Sequence, residues 1–325
     1  MARLGFILRR LGKAVVVVFA IVVLNFFLIR LVPGDPALIM AGEAGAADQK
    51  YLDDLRHEFG LDKPLWEQLA LYVGHVAEGD LGYSYRQHLP VTRLIAERLP
   101  QTLLLTGTAM LLALAVGIAL GALAAMRAGT LADSAITAAA MVVFATPSFW
   151  IGLMAVLLFS LQLEWLPPFG MITIGANLTG FSLLGDVAQH LVLPATTLGL
   201  FFVAIYARLT RAAMLEVAEL DYVRTARAKG LTEARVVRRH ILRNALLPVV
   251  SYAGLQAGYL VGGSVLIETV FAWPGIGRLA YEAVFGRDYA VLLGVFIVTS
   301  ILVIAFNLLT DLVYTLVDPR IEPNA

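Results

Sequence analysis

TLLLTGTAMLLALAVGIALGALAAM, residues 102–126, carries no charge along its whole length. A bilayer's hydrocarbon core is crossed by about 20 mostly apolar residues in a helix, whose backbone groups are all paired within the segment. The run is long and continuous, whereas a membrane-barrel strand is a short run of alternating polarity. It therefore reads as a membrane-spanning helix. Five further stretches read the same way: Leu11–Leu31, Ala135–Leu163, Leu191–Tyr206, Leu246–Phe271 and Ala290–Val317. The expected fold class is an all-α integral membrane protein with about six transmembrane helices.

Composition agrees. Of 325 residues, 59% are hydrophobic and only 15% charged, against about 25% charged in soluble domains. The net charge is zero, which offers nucleic acid no basic footprint. No cysteine is present, so disulfides and thiolate metal sites are excluded. His57, His75, His88, His190 and His240 are scattered without metal-ligand spacing, so no metal site is expected. The chain has no Gly-x-x-x-x-Gly-Lys-Ser/Thr phosphate cradle, no Gly-x-Ser-x-Gly nucleophile site and no His-Glu-x-x-His zinc site. No catalytic residues and no enzyme activity are expected.

Lysine and arginine in the loops set orientation. The N-terminus carries Arg3, Arg9, Arg10 and Lys13, and Arg208, Arg211, Arg224, Arg227, Lys229, Arg235, Arg238, Arg239 and Arg243 cluster between the fourth and fifth spans. An even number of spans puts both segments on one side, so both termini are expected in the cytoplasm. Glu164–His190 has no Lys or Arg and faces outward, as does Val32–Leu99. Arg9, Arg10 and Lys13 before an apolar run also fit a secretory leader. The run is too long for one, however, and the small-residue site Ala44-Gly45-Ala46 lies far beyond its end. An uncleaved first span is expected.

The organisation that follows is a cytoplasmic N-terminus and first span (1–31), an outward segment with short helices (32–99), a core of about five spans (100–317), and a short cytoplasmic tail (318–325). In the outward segment, Pro33-Gly34-Asp35-Pro36 ends the first helix. Asp48 can cap a short helix to about Phe59. Asp62 and Pro64 start another, with Leu65, Leu69, Tyr72 and Val76 on one face. The segment is either a structural plug or a substrate-contacting cap.

The cytoplasmic segment Ala207–Ala245 is the most informative. Leu220, Asp221, Tyr222, Val223, Arg224, Thr225, Ala226, Arg227, Ala228 and Lys229 form a short helix stopped by Gly230, which takes left-handed backbone freely. Thr232 can cap the next helix and Glu233 favours its N-terminal end. That helix is basic, with Arg235, Arg238, Arg239 and Arg243, and runs into Leu247-Pro248. Two readings stand: a basic surface loop on anionic lipid, or a docking site for a partner.

In the spans, Pro147 and Pro194 free carbonyls and bend helices, either to shape a pathway or as static kinks. Gly254, Gly258, Gly262 and Gly263 allow close helix approach in the fifth span. Ser251, Gln256, Tyr259 and Ser264, with Pro147, are the pathway-lining candidates. Glu268 and Asp311 lie near span ends, where solvent at the interface is expected to reach them. Asn25 and Asn307 are expected to bond between helices.

The segment Ala207–Ala245 resembles the cytoplasmic signature loop of bacterial ABC-importer permeases, which runs Glu-Ala-Ala, three residues, then glycine, and Tyr222 to Gly230, followed by His240, Arg243-Asn244 and a late Leu247-Pro248, is similar to one subfamily's version of it. Gly230 takes the glycine and Ala226 the last alanine, while Arg224 and Thr225 replace Glu and Ala. That departure is similar to the dipeptide, oligopeptide and nickel permease subfamily. So are Val32-Pro33-Gly34-Asp35-Pro36, Gly60-Leu61-Asp62 with Pro64, Gly79-Asp80-Leu81-Gly82, and Arg98-Leu99-Pro100 with Thr102. Thr146-Pro147, Leu193-Pro194, Phe271-Ala272-Trp273-Pro274-Gly275-Ile276-Gly277 and Asp318-Pro319-Arg320 match as well. Their order is similar to the first of the two paired permeases.

The resemblance implies a type I ABC importer permease in the bacterial inner membrane. It implies a heterodimer with a second homologous permease, two ATPase subunits that hold ATP and Mg, and an extracytoplasmic solute-binding protein. No cofactor is expected on this chain. Residues 220–230 would be the coupling helix and its stop, which drives alternating access of a two-state element. Peptides are the implied cargo, with nickel chelates, glutathione or sugars as alternatives. An ion-coupled secondary transporter is the rival reading; it would need midplane coupling groups and internal repeats.

Overall fold

The computed structural model describes residues 2–31, 53, 56, 57, 62–84 and 86–317. The Pro33–Pro36 turn, most of the expected Asp48–Phe59 helix and the tail 318–325 lie outside the described residues. The helices are α1 (Ala2–Leu31), α2 (Leu65–Ala77), α3 (Val91–Met126), α4 (Leu131–Ala145), α5 (Ser148–Ala155), α6 (Gly180–Ala218), α7 (Asp221–Ala228), α8 (Glu233–Val236), α9 (Arg243–Val270), α10 (Ile276–Gly286) and α11 (Tyr289–Val317). π-helical turns, Val156–Gln162 and Val237–Leu242, follow α5 and α8.

The six apolar runs fall on helices, five of them without a break. Among the described residues, α3, α6 and Tyr289–Leu308 of α11 are each long and apolar enough to cross a bilayer. The third run is broken: α4 and the α5 segment meet at 102°. The cause is local, because Thr146 precedes Pro147 and sits in extended backbone (φ −88, ψ 132), as proline demands of its predecessor. The fourth run is the middle of a much longer helix, which continues past Tyr206 to Ala218.

The chain divides into two compact units. The unit of residues 101–274 and 306–321 is built round α6, which packs on α4, α5 and α9. Leu105, Ala109, Leu198, Phe202, Tyr206, Val249, Ile267, Phe271 and Trp273 form its core. Glycines let α3 and α6 touch backbone to backbone. A Cβ on Gly117 would lie 2.7 Å from Tyr206 Cβ, one on Gly121 would lie 2.7 Å from Thr210 Cβ, and one on Gly199 would lie 3.0 Å from the Ala109 carbonyl. Gly254 of the fifth span likewise has no room for a side chain beside Thr310. Exposed apolar side chains such as Leu111, Met141, Val142 and Leu161 are suited to lipid. The stretch after the third run is tied down by the Gly170 N–H on the Phe271 carbonyl (2.8 Å) and by Thr173, whose N–H and hydroxyl both donate to Asp186 (2.7 Å each).

The other unit holds the described residues of 1–100 and 275–305. In it α1 packs on α2, with the Phe26 and Tyr72 rings 5.9 Å apart. α2 begins after Pro64 as its sequence indicates. Leu69, Tyr72 and Val76 are half-buried, while Leu65 is exposed. A two-rung antiparallel hairpin pairs Tyr83 with Pro90 and Ser84 with Leu89. The Ser84 hydroxyl donates to the Asp288 carboxylate, which also accepts the Val291 N–H (3.2 Å) and so caps the first turn of α11.

Candidate functional site

The segment between α6 and α9 folds into a small knuckle with its own core. Val223 and Ala226 of α7 pack against Ala213, Met214, Val236, Ile241 and Ala245. The spacing of Val223 and Ala226 gives α7 one inward face, and both are buried. Asp221, Arg224, Thr225 and Ala228 fall on the opposite face and are exposed, as are Leu220, Tyr222, Arg227, Lys229 and Gly230. Gly230 ends α7 with φ 78, the left-handed stop that the sequence indicates.

Thr232 sits at the N-cap of α8 without a side-chain capping bond. Glu233 binds Arg227 instead through a two-pronged pair, Nε–Oε2 at 3.1 Å and Nη2–Oε1 at 2.7 Å. The guanidinium's hydrogen bonds hold the Glu233 carboxyl below its usual range, and Glu233 raises Arg227 in turn. A carboxyl with a lowered folded-state pKa contributes stability above its unfolded value and loses it as pH falls through the folded one. Acidification below the ordinary 4.5 should therefore loosen the α7–α8 turn. Protection of the Gly230 and Leu231 amides, taken as exchange relative to the intrinsic rate at each pH, should fall there and stay flat from pH 6 to 8.

A second pair anchors α6 to α4. Arg211 donates to Asp133 through Nε (2.6 Å) and Nη2 (2.8 Å), and Asp133 also accepts the Gly129 N–H (3.0 Å). Sequence reading counted Arg211 only as an orientation charge. Its signal was Asp133, an acid in the first turn of a helix entering an apolar run.

The pathway candidates do not form one cluster. Pro147 is the break between α4 and α5. Ser251 donates to the Leu247 carbonyl (2.8 Å) and Gln256 to the Tyr252 hydroxyl (2.8 Å), both within α9. The Tyr259 and Asp311 side chains lie outside the described residues. Ser264 is fully buried and donates to Glu268 Oε1 (2.9 Å), which also accepts from the Thr102 hydroxyl (2.8 Å). Glu268 is itself completely buried. This corrects the expectation of a solvated interfacial acid: α3 closes over it and two hydroxyls replace water. Asn25 is buried and its Nδ2 has no hydrogen-bond partner among the described residues.

Residues 117–323 match the family model for the binding-protein-dependent transport system inner membrane component, and residues 3–106 match its N-terminal companion. The chain belongs to this family of ABC-importer permeases. The permease is 43% identical to a di/tripeptide transport system permease protein DppB of Pseudomonas aeruginosa, over 98% of this chain and 99% of that one. It is 42% identical to the dipeptide transport system permease protein DppB of Escherichia coli K12, over 98% and 99%. Among solved structures, an inward-facing MetNI methionine ABC transporter superposes with a TM-score of 0.55 at 21% identity, covering 69% of the permease and 96% of that chain. The permease is thus a multi-pass inner-membrane protein with the type I importer fold and a transport subunit by family. That family works with ATPase and substrate-binding partners.

Proposed function

We propose that this permease forms one half of the translocation pathway for di- or oligopeptides, paired with a second homologous permease. Two ATPase subunits holding ATP and Mg sit below the pair and a solute-binding protein sits above. The observation that carries the coupling role is the two-faced α7. Val223 and Ala226 root it in the permease while Asp221, Arg224, Thr225 and Ala228 are left for a partner. The peptide cargo is supported by the names of the relatives that match end to end.

In this reading Leu220–Lys229 lies in a groove of the ATPase, and Gly230 lets the chain turn back into the membrane. Both termini are cytoplasmic, residues 32–99 face outward, and the core 100–317 moves between inward- and outward-open states. Purification of the intact chain should bring down two ATPase subunits, with ATP hydrolysis stimulated by peptide-loaded binding protein. Replacing residues 220–229 with Gly/Ser should abolish docking and transport. Vanadate should stop uptake and an uncoupler should not; the reverse pattern would falsify ATP-driven import.

A further inference from the structure

The knuckle contains a polar bracket that runs from the docking helix to the fifth span. Asn244, in the first turn of α9, donates its Nδ2 hydrogens to the Tyr222 hydroxyl (2.8 Å) and to the His240 carbonyl (2.9 Å). The Tyr222 hydroxyl donates in turn to the same carbonyl (3.4 Å). One side chain thereby joins α7, the π-helical turn and α9.

The covalent route from Tyr222 to Asn244 is 22 residues long and has two soft points. One is the glycine turn at Gly230, with φ 78. The other is the π-helical turn Val237–Leu242, a break in α-helical pitch of the kind at which helices kink. A push on α7 would be absorbed at either point. The apolar contacts of Val223 and Ala226 hold α7 close but are non-directional and permit sliding. Hydrogen bonds have a fixed length and angle and so set a register.

We propose that Asn244 is a positioning residue for energy coupling: through Tyr222 it locks the coupling helix to the root of the fifth span, so that displacement of α7 is delivered to α9 and not lost in the glycine and π turns. This rests on the coupling reading above. The bracket is exposed, so its effect falls on coupling and not on fold stability.

The test uses the complete transporter in proteoliposomes, comparing peptide transported with ATP hydrolysed. Asn244→Ala should still co-purify with the ATPase subunits and still hydrolyse ATP. Its peptide-to-ATP ratio should fall roughly tenfold, the size of a typical coupling term. Tyr222→Phe should give a similar loss, and the double variant should be no worse than the worse single, because both break one bracket. An unchanged ratio in Asn244→Ala, or strictly additive losses, overturns the proposal. If Asn244→Ala fails to assemble, Asn244→Leu, of similar size but with no donor, decides alone, and a wild-type ratio there overturns it. If no ATPase subunit co-purifies with the unsubstituted chain, the coupling reading itself falls and takes the bracket with it.

Discussion

Alanine in place of Gly121 should unfold the helix pair α3–α6 well below the unfolding temperature of the parent. The added methyl would be forced against the Ala207 backbone carbonyl and within 2.7 Å of Thr210 Cβ. Both neighbours belong to a buried stretch of α6, so relief requires moving a backbone and not rotating a flexible side chain. Overpacking of this kind costs about 1–3 kcal/mol, and two adjacent small-residue contacts, at Gly117 and Gly121, place this site at the upper end. Gly107, in the same helix, has nothing within 4 Å of where its Cβ would stand. There alanine should be neutral or should stabilise by roughly 0.5–1 kcal/mol through lost chain entropy. Thermal unfolding of the detergent-purified variants should separate the two by sign. Equal behaviour of Gly121→Ala and Gly107→Ala would refute the close α3–α6 crossing.

Glu268→Ala should give the other large loss. The side-chain carboxyl is wholly enclosed, and its Oε1 accepts from both Thr102 of α3 and Ser264 of α9. Its removal leaves a cavity and two buried hydroxyls, costing about 2–4 kcal/mol. Glu268→Gln keeps an acceptor oxygen in the same place and should cost only about 1 kcal/mol. Thr102→Val and Ser264→Ala each remove one donor and should fall near that smaller value. If Glu268→Ala matched Glu268→Gln in melting temperature, the hydrogen-bonded tie would carry no stability.

What lipid dictates was legible from sequence in part. The six apolar runs fall on helices, because a chain in a bilayer must satisfy its own backbone; among the described residues three of them, or four if the bent α4–α5 pair is one span, are long and apolar enough to cross, against the six expected. The glycine stop at Gly230 and the start of α2 after Pro64 followed from local backbone chemistry, and the structure has both. The extension of α6 beyond Tyr206 was hidden, because Ala207–Ala218 is polar enough to read as loop; its helix is held by packing on α4 and by the Arg211–Asp133 pair. The burial of Glu268 was hidden for the opposite reason. Its place near the end of an apolar run suggested water, and what covers it comes from a helix more than a hundred residues earlier. α10 and the Tyr83–Pro90 hairpin are short, and their pattern is too brief to read as period 3.6 or 2. The Gly117-x-x-x-Gly121 spacing was visible and is a recognised close-contact pattern, but sequence reading placed the small-residue face in the fifth span alone.

The length of α6 has a mechanical consequence. Its 39 residues make a rod of about 58 Å, nearly twice the roughly 30 Å of hydrocarbon it crosses. Pro194, its one internal proline, is buried against neighbours that stiffen it there. One end is clasped by Asp186 to Thr173 and the other by Arg211 to Asp133. A rotation of about ten degrees about the middle would carry each end through about 5 Å. On the coupling role proposed for the knuckle, a nudge arriving there would register at the opposite end of α6 as leverage, with no relay of side chains between.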